Sequence, residues 1–382
     1  MGLDPRLTDI VALRERARRR IPRAIFDYVD GGSYTESTLS ENRVALDRLR
    51  LKQRVMRDVS NRDLSTTILG QNVPAPMMMA PTGLTGLVHP NGEVEALKVA
   101  HRQGLPFIHS TSAICSADDL AEGAGVPYWF QVYIMKDRDF TRYLLDMAKR
   151  SGATTLVITV DLVVNALRHR DAVNGLSVPL RLTGRSVLDG MTKPGWALRM
   201  LRAKRVGFGN YAGYLPKGTG TQSMAKWVAT QFEPLLTPEA IGWIRDAWDG
   251  PIVIKGIMTP EDARLAVDYG AQGIVVSNHG GRQLDGGQAT IDALPAIAAE
   301  VGGQVQVYAD SGIRTGADIF RFLARGADAC LIGRAALYGM GAAGPAGLEH
   351  ALTLLRNELD VAMALTGCRS LSDISPDLLI QD

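Results

Sequence analysis

Eight short apolar runs recur along the chain, at 75–80, 106–110, 129–133, 156–160, 252–255, 273–277, 306–310 and 330–333. Several lie next to stretches with helical spacing of apolar positions, such as 93–103, 141–151, 260–269 and 316–325. Alternation of this kind predicts an α/β fold, a parallel sheet with right-handed crossovers, and eight such units close a (β/α)8 TIM barrel. A doubly wound open sheet is the alternative, but it rarely needs eight evenly phased strands. Residues 1–73 form a helical prelude, with helical patterns over 7–20, 21–28 and 35–49 and a stop at Gly31-Gly32. The whole of 1–382 is predicted as one domain, with the barrel in 74–382 and a long insertion, 170–235, between strands four and five.

Composition narrows the function classes. Forty-six per cent hydrophobic residues give ample core for 382 residues, and 42 Lys and Arg against 40 Asp and Glu give no reason to expect nucleic acid. Cys115, Cys330 and Cys368 are far apart with no CxxC, so neither a disulfide framework nor a metal site is expected, which fits a reducing cytosol. The first residues lack an apolar signal core, and Asp161 interrupts the longest apolar run, so no transmembrane helix is predicted. Residues 181–205 hold seven Lys or Arg against one acid, Asp189, together with Trp196, Leu198, Met200 and Leu201. Such a basic amphipathic segment with an aromatic anchor suits an anionic membrane surface, and it suits a solvated lid equally well.

In a barrel the chemistry sits at the C-terminal ends of the strands. Those ends read Thr82, Ser110, Gln131 with Tyr133, Thr159 with Asp161, Lys255, Ser277 with His279, Asp310, and Gly333-Arg334. Lys255 lies within Ile-Val-Ile-Lys-Gly, where an unpaired ammonium would be costly, so it needs an anionic or electron-rich neighbour. The sixth strand runs into Ser277-Asn-His279-Gly-Gly-Arg282. An imidazole can take a proton near neutral pH and a guanidinium can hold a carboxylate through two hydrogen bonds. The bland alternative is a capped turn with a surface His and a solvated Arg. After strands seven and eight, Asp310-Ser-Gly312-Ile-Arg314-Thr-Gly316 and Ile332-Gly333-Arg334 offer glycines and cations where barrels seat phosphate. Gly339-Met-Gly-Ala-Ala-Gly344 matches GxGxxG, but it does not directly follow a strand, and close helix packing is the expected role. Tyr28 ends a helix beside a glycine turn, and from position alone it is a packing residue.

Ser277-Asn-His-Gly-Gly-Arg-Gln-Leu-Asp285, with Ala80-Pro-Thr82, Phe130-Gln-Val-Tyr133, Thr159-Val-Asp161 and Val253-Ile-Lys-Gly256 in the same order, resembles the FMN-dependent (S)-2-hydroxy acid dehydrogenases and oxidases. That family includes glycolate oxidase, L-lactate dehydrogenase and (S)-mandelate dehydrogenase, and the likeness runs from Phe26-Asp-Tyr28 to Thr366-Gly-Cys-Arg-Ser370. The resemblance implies that Arg168 and Arg282 clamp the substrate carboxylate with help from Tyr28. It makes His279 the base, oriented by Asp161, and gives Tyr133 a hydrogen bond to the substrate oxygen. Lys255 would sit beside the flavin N1–C2=O edge. Thr82, Ser110, Gln131, Thr159 and Ser277 would bond the flavin ring or ribityl chain, Asp310 the ribityl, and Gly312, Arg314, Gly333 and Arg334 would surround the phosphate.

Two positions depart from glycolate oxidase: Ser112 replaces a tryptophan, implying a roomier pocket, and Thr315 replaces a second phosphate-side arginine. The implied reaction is oxidation of an L-2-hydroxy acid to the 2-oxo acid with electrons passed to a membrane quinone. The enzyme is then expected in the cytoplasm, peripheral on the inner face of the cell membrane through 181–205, and homo-oligomeric, a tetramer by resemblance. Competing readings are a soluble oxidase that reduces dioxygen to hydrogen peroxide, a flavin barrel catalysing isomerisation, and a barrel that only binds its ligand. The sequence leaves lactate, mandelate and longer acids open as substrates.

Overall fold

The computed structural model describes residues 3–176, 184–216, 219–233 and 237–380. Each of the eight apolar runs is a strand: β1 (Met77–Met79), β2 (Ile108–Ser110), β3 (Tyr128–Val132), β4 (Ala153–Thr159), β5 (Ile252–Ile257), β6 (Gly273–Val276), β7 (Gln306–Ala309) and β8 (Ala329–Ile332). They pair in the order β1-β8-β7-β6-β5-β4-β3-β2, every pair parallel. A parallel bridge between Met79 and Phe107 joins the first strand to the second and closes the ring. The fold is a TIM barrel, not the open sheet.

The pleat sorts the strand residues into two cores. Inward positions Met78, Ile108, Trp129, Val157, Val253, Val275, Tyr308 and Leu331 pack together inside the barrel. Their neighbours, such as Ile158, Ile254, Ile274 and Val276, face the surrounding helices. Two residues further along, the inward positions are Ala80, Ser110, Gln131, Thr159, Lys255, Ser277, Asp310 and Gly333. The apolar filling therefore stops one layer below the mouth, and polar groups take over.

At the opposite end the hairpin formed by Thr66–Ile68 and Gln71–Val73 adds Ile68 and Val73 to the interior core. The amide of Gln306 fixes that plug, accepting from Leu69 N at 2.6 Å and donating to the Thr67 carbonyl at 2.8 Å.

The prelude folds as α1 (Ile10–Arg20), α2 (Arg23–Asp30) and α3 (Ser37–Arg48). Outer helices α4 (Gly92–Arg102), α5 (Ala117–Gly123) and α6 (Arg138–Arg150) follow β1 to β3. The excursion after β4 carries α7 (His169–Val173), α8 (Gly184–Met191), α9 (Pro194–Met200), α10 (Thr221–Gln231) and α11 (Pro238–Ala247). Then come α12 (Pro260–Asp268), α13 (Thr290–Val301), α14 (Gly316–Ala324), α15 (Arg334–Ala343) and α16 (Pro345–Thr366). The GxGxxG stretch lies in α15, where a Cβ on Gly339 would come within 2.4 Å of the Gly347 carbonyl oxygen of α16. Those glycines serve close helix packing, as their position in the sequence predicts.

One detail of the insertion differs from its sequence pattern. Trp196, the expected outward anchor, is turned inward and donates its indole N–H to the Leu87 carbonyl at 2.9 Å. A tryptophan N–H finds a partner when it is buried, and here the Leu87 carbonyl is that partner. The exposed apolar set is instead Leu188, Met191, Leu198 and Leu201. Asp189 pins α8 by accepting from the backbone N–H of Arg23, and Lys193 reaches the Arg19 carbonyl at 3.1 Å. Arg181 lies outside the described residues. Among the described residues no helix is long and apolar enough to cross a membrane.

Candidate active site

The polar layer at the barrel mouth opens into a cavity of about 340 Å³. On one side stands a dyad. His279 Nδ1 and Asp161 Oδ1 are 2.8 Å apart, with Asp161 just beyond β4 and His279 three residues beyond β6. Burial pushes Asp161 up, but the His279 imidazole and the Lys255 ammonium outweigh it and hold the carboxyl below its ordinary value. Asp161 therefore stays an anion beside the imidazole, the arrangement that fixes a histidine's tautomer and stabilises its protonated form. His279 itself has φ of +58°, and Gly280 and Gly281 follow at +67° and +70°. A left-handed histidine is uncommon, and it turns the ring back over the mouth.

That loop is held from the prelude. Ser33 N donates to the Gly281 carbonyl at 3.0 Å, Asn42 and Asn278 exchange amide hydrogen bonds, and Asp285 accepts from Thr35, Ser37 and Thr38.

Two guanidinium groups face the same space across Tyr28. Arg282 stands 4.7 Å from the Tyr28 ring centroid and Arg168 stands 5.5 Å from it. Arg168 is steadied by Asp171 at 2.7 Å, whereas among the described residues Arg282 bonds only the backbone carbonyls of Tyr28 and Gly31. Burial and the neighbouring Arg168 pull the Arg282 pKa down. Arg334 donates to the carbonyls of Val29, Gly280 and Gly31, and burial together with Arg282 and Arg314 brings it to about 9. Among the described residues neither Arg282 nor Arg334 has a carboxylate partner. Cations crowded without counter-charge make a place for anions, such as a carboxylate or a phosphate. Tyr133, whose hydroxyl is pushed up by burial, completes this wall.

Lys255 resolves the cost of its burial within the protein. Its ammonium donates to Ser277 Oγ at 2.7 Å and pairs with Asp310 Oδ2 at 3.1 Å. Around it, Gln131 Nε2 and Thr159 Oγ1 are buried with no hydrogen-bond partner among the described residues, although Ser110 Oγ reaches Gln131 Oε1 at 3.3 Å. Buried polar groups left unpaired are expensive, so a ligand with acceptors and donors belongs at this layer. A polar, heteroatom-rich ring such as a flavin fits, with the adjoining cations suited to its phosphate. Further around the rim, Thr82 Oγ1 lies 2.9 Å from Thr85 Oγ1. Gly312, at φ +87°, lets the β7 loop pass the Asn42 carbonyl, and Arg314 stacks 5.3 Å from the Tyr338 ring centroid. Gly333 lines the cavity at the start of α15. Thr315, where glycolate oxidase has an arginine, caps α14 by accepting from Asp318 N.

All the predicted site residues thus converge on one mouth. Ser277 and Asp161 are the two that stand behind the cavity wall, supporting Lys255 and His279. Sequence reading missed the apolar wall that the insertion supplies, Leu176, Val206, Phe208, Val228 and Phe232, because no local pattern points across that distance. It also missed Asp171, whose spacing of three from Arg168 was the available signal, and Gln283, which donates to the carbonyls of Asp161 and Val164. Ser112 lines the cavity and leans on the Tyr211 hydroxyl at 3.2 Å.

Comparison with known proteins identifies the family. A family model described as FMN-dependent dehydrogenase matches residues 17–381. The L-lactate dehydrogenase of Ectopseudomonas mendocina is 46% identical over 370 residues, 97% of each chain. That of Xanthomonas campestris pv. campestris is 47% identical over 367 residues, 96% of this chain and 95% of the relative. Among solved structures, the monotopic membrane protein (S)-mandelate dehydrogenase superposes with a TM-score of 0.93 at 34% identity, covering 98% of this chain and 100% of the other.

Proposed function

Since the chain belongs to the FMN-dependent dehydrogenase family, we propose that it oxidises an L-2-hydroxy acid, L-lactate first among them, to the 2-oxo acid. The observation that carries this reading is the His279–Asp161 pair, 2.8 Å apart, sharing one cavity with Arg168, Arg282 and Tyr28. FMN, when bound, supplies the acceptor for the two electrons that leave the substrate.

The protein's own groups do the rest. Arg282 and Arg168 bind the carboxylate and fix the α-carbon, and the Tyr28 and Tyr133 hydroxyls orient its oxygens. Neutral His279 takes the proton from the substrate hydroxyl or α-carbon, and anionic Asp161 stabilises the imidazolium so formed. Lys255 presents a fixed positive charge to the ring-binding layer. Gln131, Thr159, Thr82, Ser110 and Ser277 serve the flavin and ribityl, with Asp310 beside them. Gly312, Arg314, Gly333 and Arg334 serve the phosphate.

The acceptor in this reading is a membrane quinone, reached by peripheral attachment through 181–205 at the inner face of the cell membrane, with the enzyme assembled as a homo-oligomer. Exposed Leu188, Met191, Leu198 and Leu201 support such attachment, as does the monotopic character of the mandelate dehydrogenase neighbour.

The test is the visible spectrum of the anaerobic holoprotein before and after L-lactate, D-lactate and (S)-mandelate. Bleaching by an L-acid and not by its enantiomer is expected. His279→Gln should keep the yellow colour and slow bleaching by roughly 10²- to 10⁴-fold. A yellow wild-type protein that bleaches with no 2-hydroxy acid would overturn the substrate class. Rapid peroxide release in air, with no quinone reduction in membranes, would overturn the acceptor.

A further inference from the structure

We propose that Gln283 is a positioning residue that holds Asp161, and through it His279, in working register. Asp161 is weakly anchored by its own side chain. Oδ1 meets His279, while Oδ2 is buried with no hydrogen-bond partner among the described residues. The neighbouring strand meets this segment with backbone alone, the Lys255 carbonyl accepting from Val160 N at 2.9 Å. Gly256, at φ +109°, has no side chain, and a Cβ there would stand 2.7 Å from Asp161 Cβ. The space that admits Asp161 is one that a glycine leaves open.

What restrains the segment from the other side is Gln283. Its side-chain nitrogen donates both protons, to the Asp161 carbonyl at 2.9 Å and to the Val164 carbonyl at 3.1 Å. Gln283 directly follows Arg282 and lies four residues beyond His279. The tether therefore joins the loop carrying the base to the loop carrying its carboxylate partner. Two carbonyls would otherwise lose their donor, and the Asp161 backbone would be free to shift by the fraction of an ångström that proton transfer does not tolerate.

Arg168, further along the same loop, has restraints of its own. Asp171 holds its Nε at 2.7 Å, and the preceding Leu167 carbonyl accepts from Tyr34 N at 2.9 Å. Loss of Gln283 should thus disturb the proton-handling pair and spare the carboxylate clamp.

The inference rests on the reading of His279 and Asp161 as the base and its partner. Its test uses FMN-loaded wild-type, Gln283→Met, Asp161→Asn and the double variant. Met keeps the length of the side chain and removes the donor. Single-turnover bleaching by L-lactate gives the rate, and spectral titration of the oxidised protein with pyruvate gives the clamp.

Gln283→Met should slow bleaching by roughly ten- to a hundredfold, with pyruvate affinity changed by less than about threefold. In the Asp161→Asn background the same substitution should cost less than about threefold, because the residue it acts through is already gone. A merely structural role predicts the same loss in both backgrounds, or a loss of pyruvate binding as large as the loss of rate; either result overturns the proposal. So does a Gln283→Met rate equal to wild type. If His279→Gln bleaches at the wild-type rate, the assignment of the base fails and this inference falls with it, a result distinct from the failure of Gln283 alone.

Discussion

Asp30 offers a place where charge can be read as stability. Its carboxylate, 6% exposed, accepts from Arg14 Nε at 2.6 Å and Nη2 at 2.7 Å, from Arg170 at 3.0 Å and from the Tyr338 hydroxyl at 2.7 Å. Those four bonds tie α1, α2, α7 and α15 together at the point where the chain turns toward Gly31. Burial opposes ionisation of Asp30, but Arg14, Tyr338 and Arg170 outweigh it and bring the pKa from 3.8 to about 2. A drop of that size corresponds to roughly 2 kcal/mol of folding free energy. The folded value lies below the unfolded one. The stabilisation is therefore complete above about pH 4 and is lost as the pH falls through about 2.

Asp30→Asn keeps the shape and removes the charge. Arg14 and Arg170 can still turn to Glu15 and Glu36, their other acidic partners. The expected loss near pH 7 is thus about 2–3 kcal/mol, below the ~3–5 kcal/mol of a fully buried broken pair. Urea unfolding of wild type and variant, both FMN-loaded, at neutral and acid pH would measure it. The gap between them should shrink by about half near pH 3, because wild type then loses what the variant never had. A gap as wide near pH 3 as near pH 7 would refute the electrostatic account and leave shape as the cause.

Other perturbations separate the parts of the site. Lys255→Met removes the ammonium beside Asp310 and should cost about 3–5 kcal/mol by stranding that carboxylate, with weaker FMN retention measured by filtration. Adding Asp310→Asn should recover most of the stability and little of the flavin-reduction rate. Leu198→Glu with Leu201→Glu changes two exposed side chains, 66% and 82% accessible, so unfolding should move by less than about 0.5 kcal/mol. Binding to vesicles rich in anionic lipid, followed by sedimentation, should fall by at least about a hundredfold if those leucines enter the interface. Unchanged sedimentation would remove this face from the membrane contact.

The strands and their chemistry were legible because both follow from one period. A strand alternates every second residue, so the inward series Val253, Lys255 or Tyr308, Asp310 passes from core to mouth in a single step. Lys255 also announced itself by cost, since an ammonium in an apolar run demands a partner. The partner itself was not legible. Asp310 lies 55 residues away on a strand two places round the barrel, and only closure brings the two within 3.1 Å. Position alone left Tyr28 looking like packing for the same reason, and only the resemblance put it with Arg168 and Arg282, which stand over its ring. In the insertion one residue was misjudged: Leu198 and Leu201 of its amphipathic pattern face outward, but Trp196 belongs to the inward side.

The helical prelude therefore holds the loop that carries His279 and is not a decoration on the barrel. Three consecutive left-handed residues, His279 to Gly281, form a backbone that costs energy for a histidine and persists only where surroundings over-determine it. The barrel supplies the start of that loop at Ser277, yet most of the contacts that hold its far side come from Ser33, Thr35, Ser37, Thr38 and Asn42. A Cβ on Gly281 would meet the backbone of Leu39 at 2.5 Å, so α3 presses directly on the strained turn. Strain in the His279 loop and docking of the prelude are two sides of one interaction. Loosening either should relax His279 out of the cavity while the eight strands remain closed beneath it.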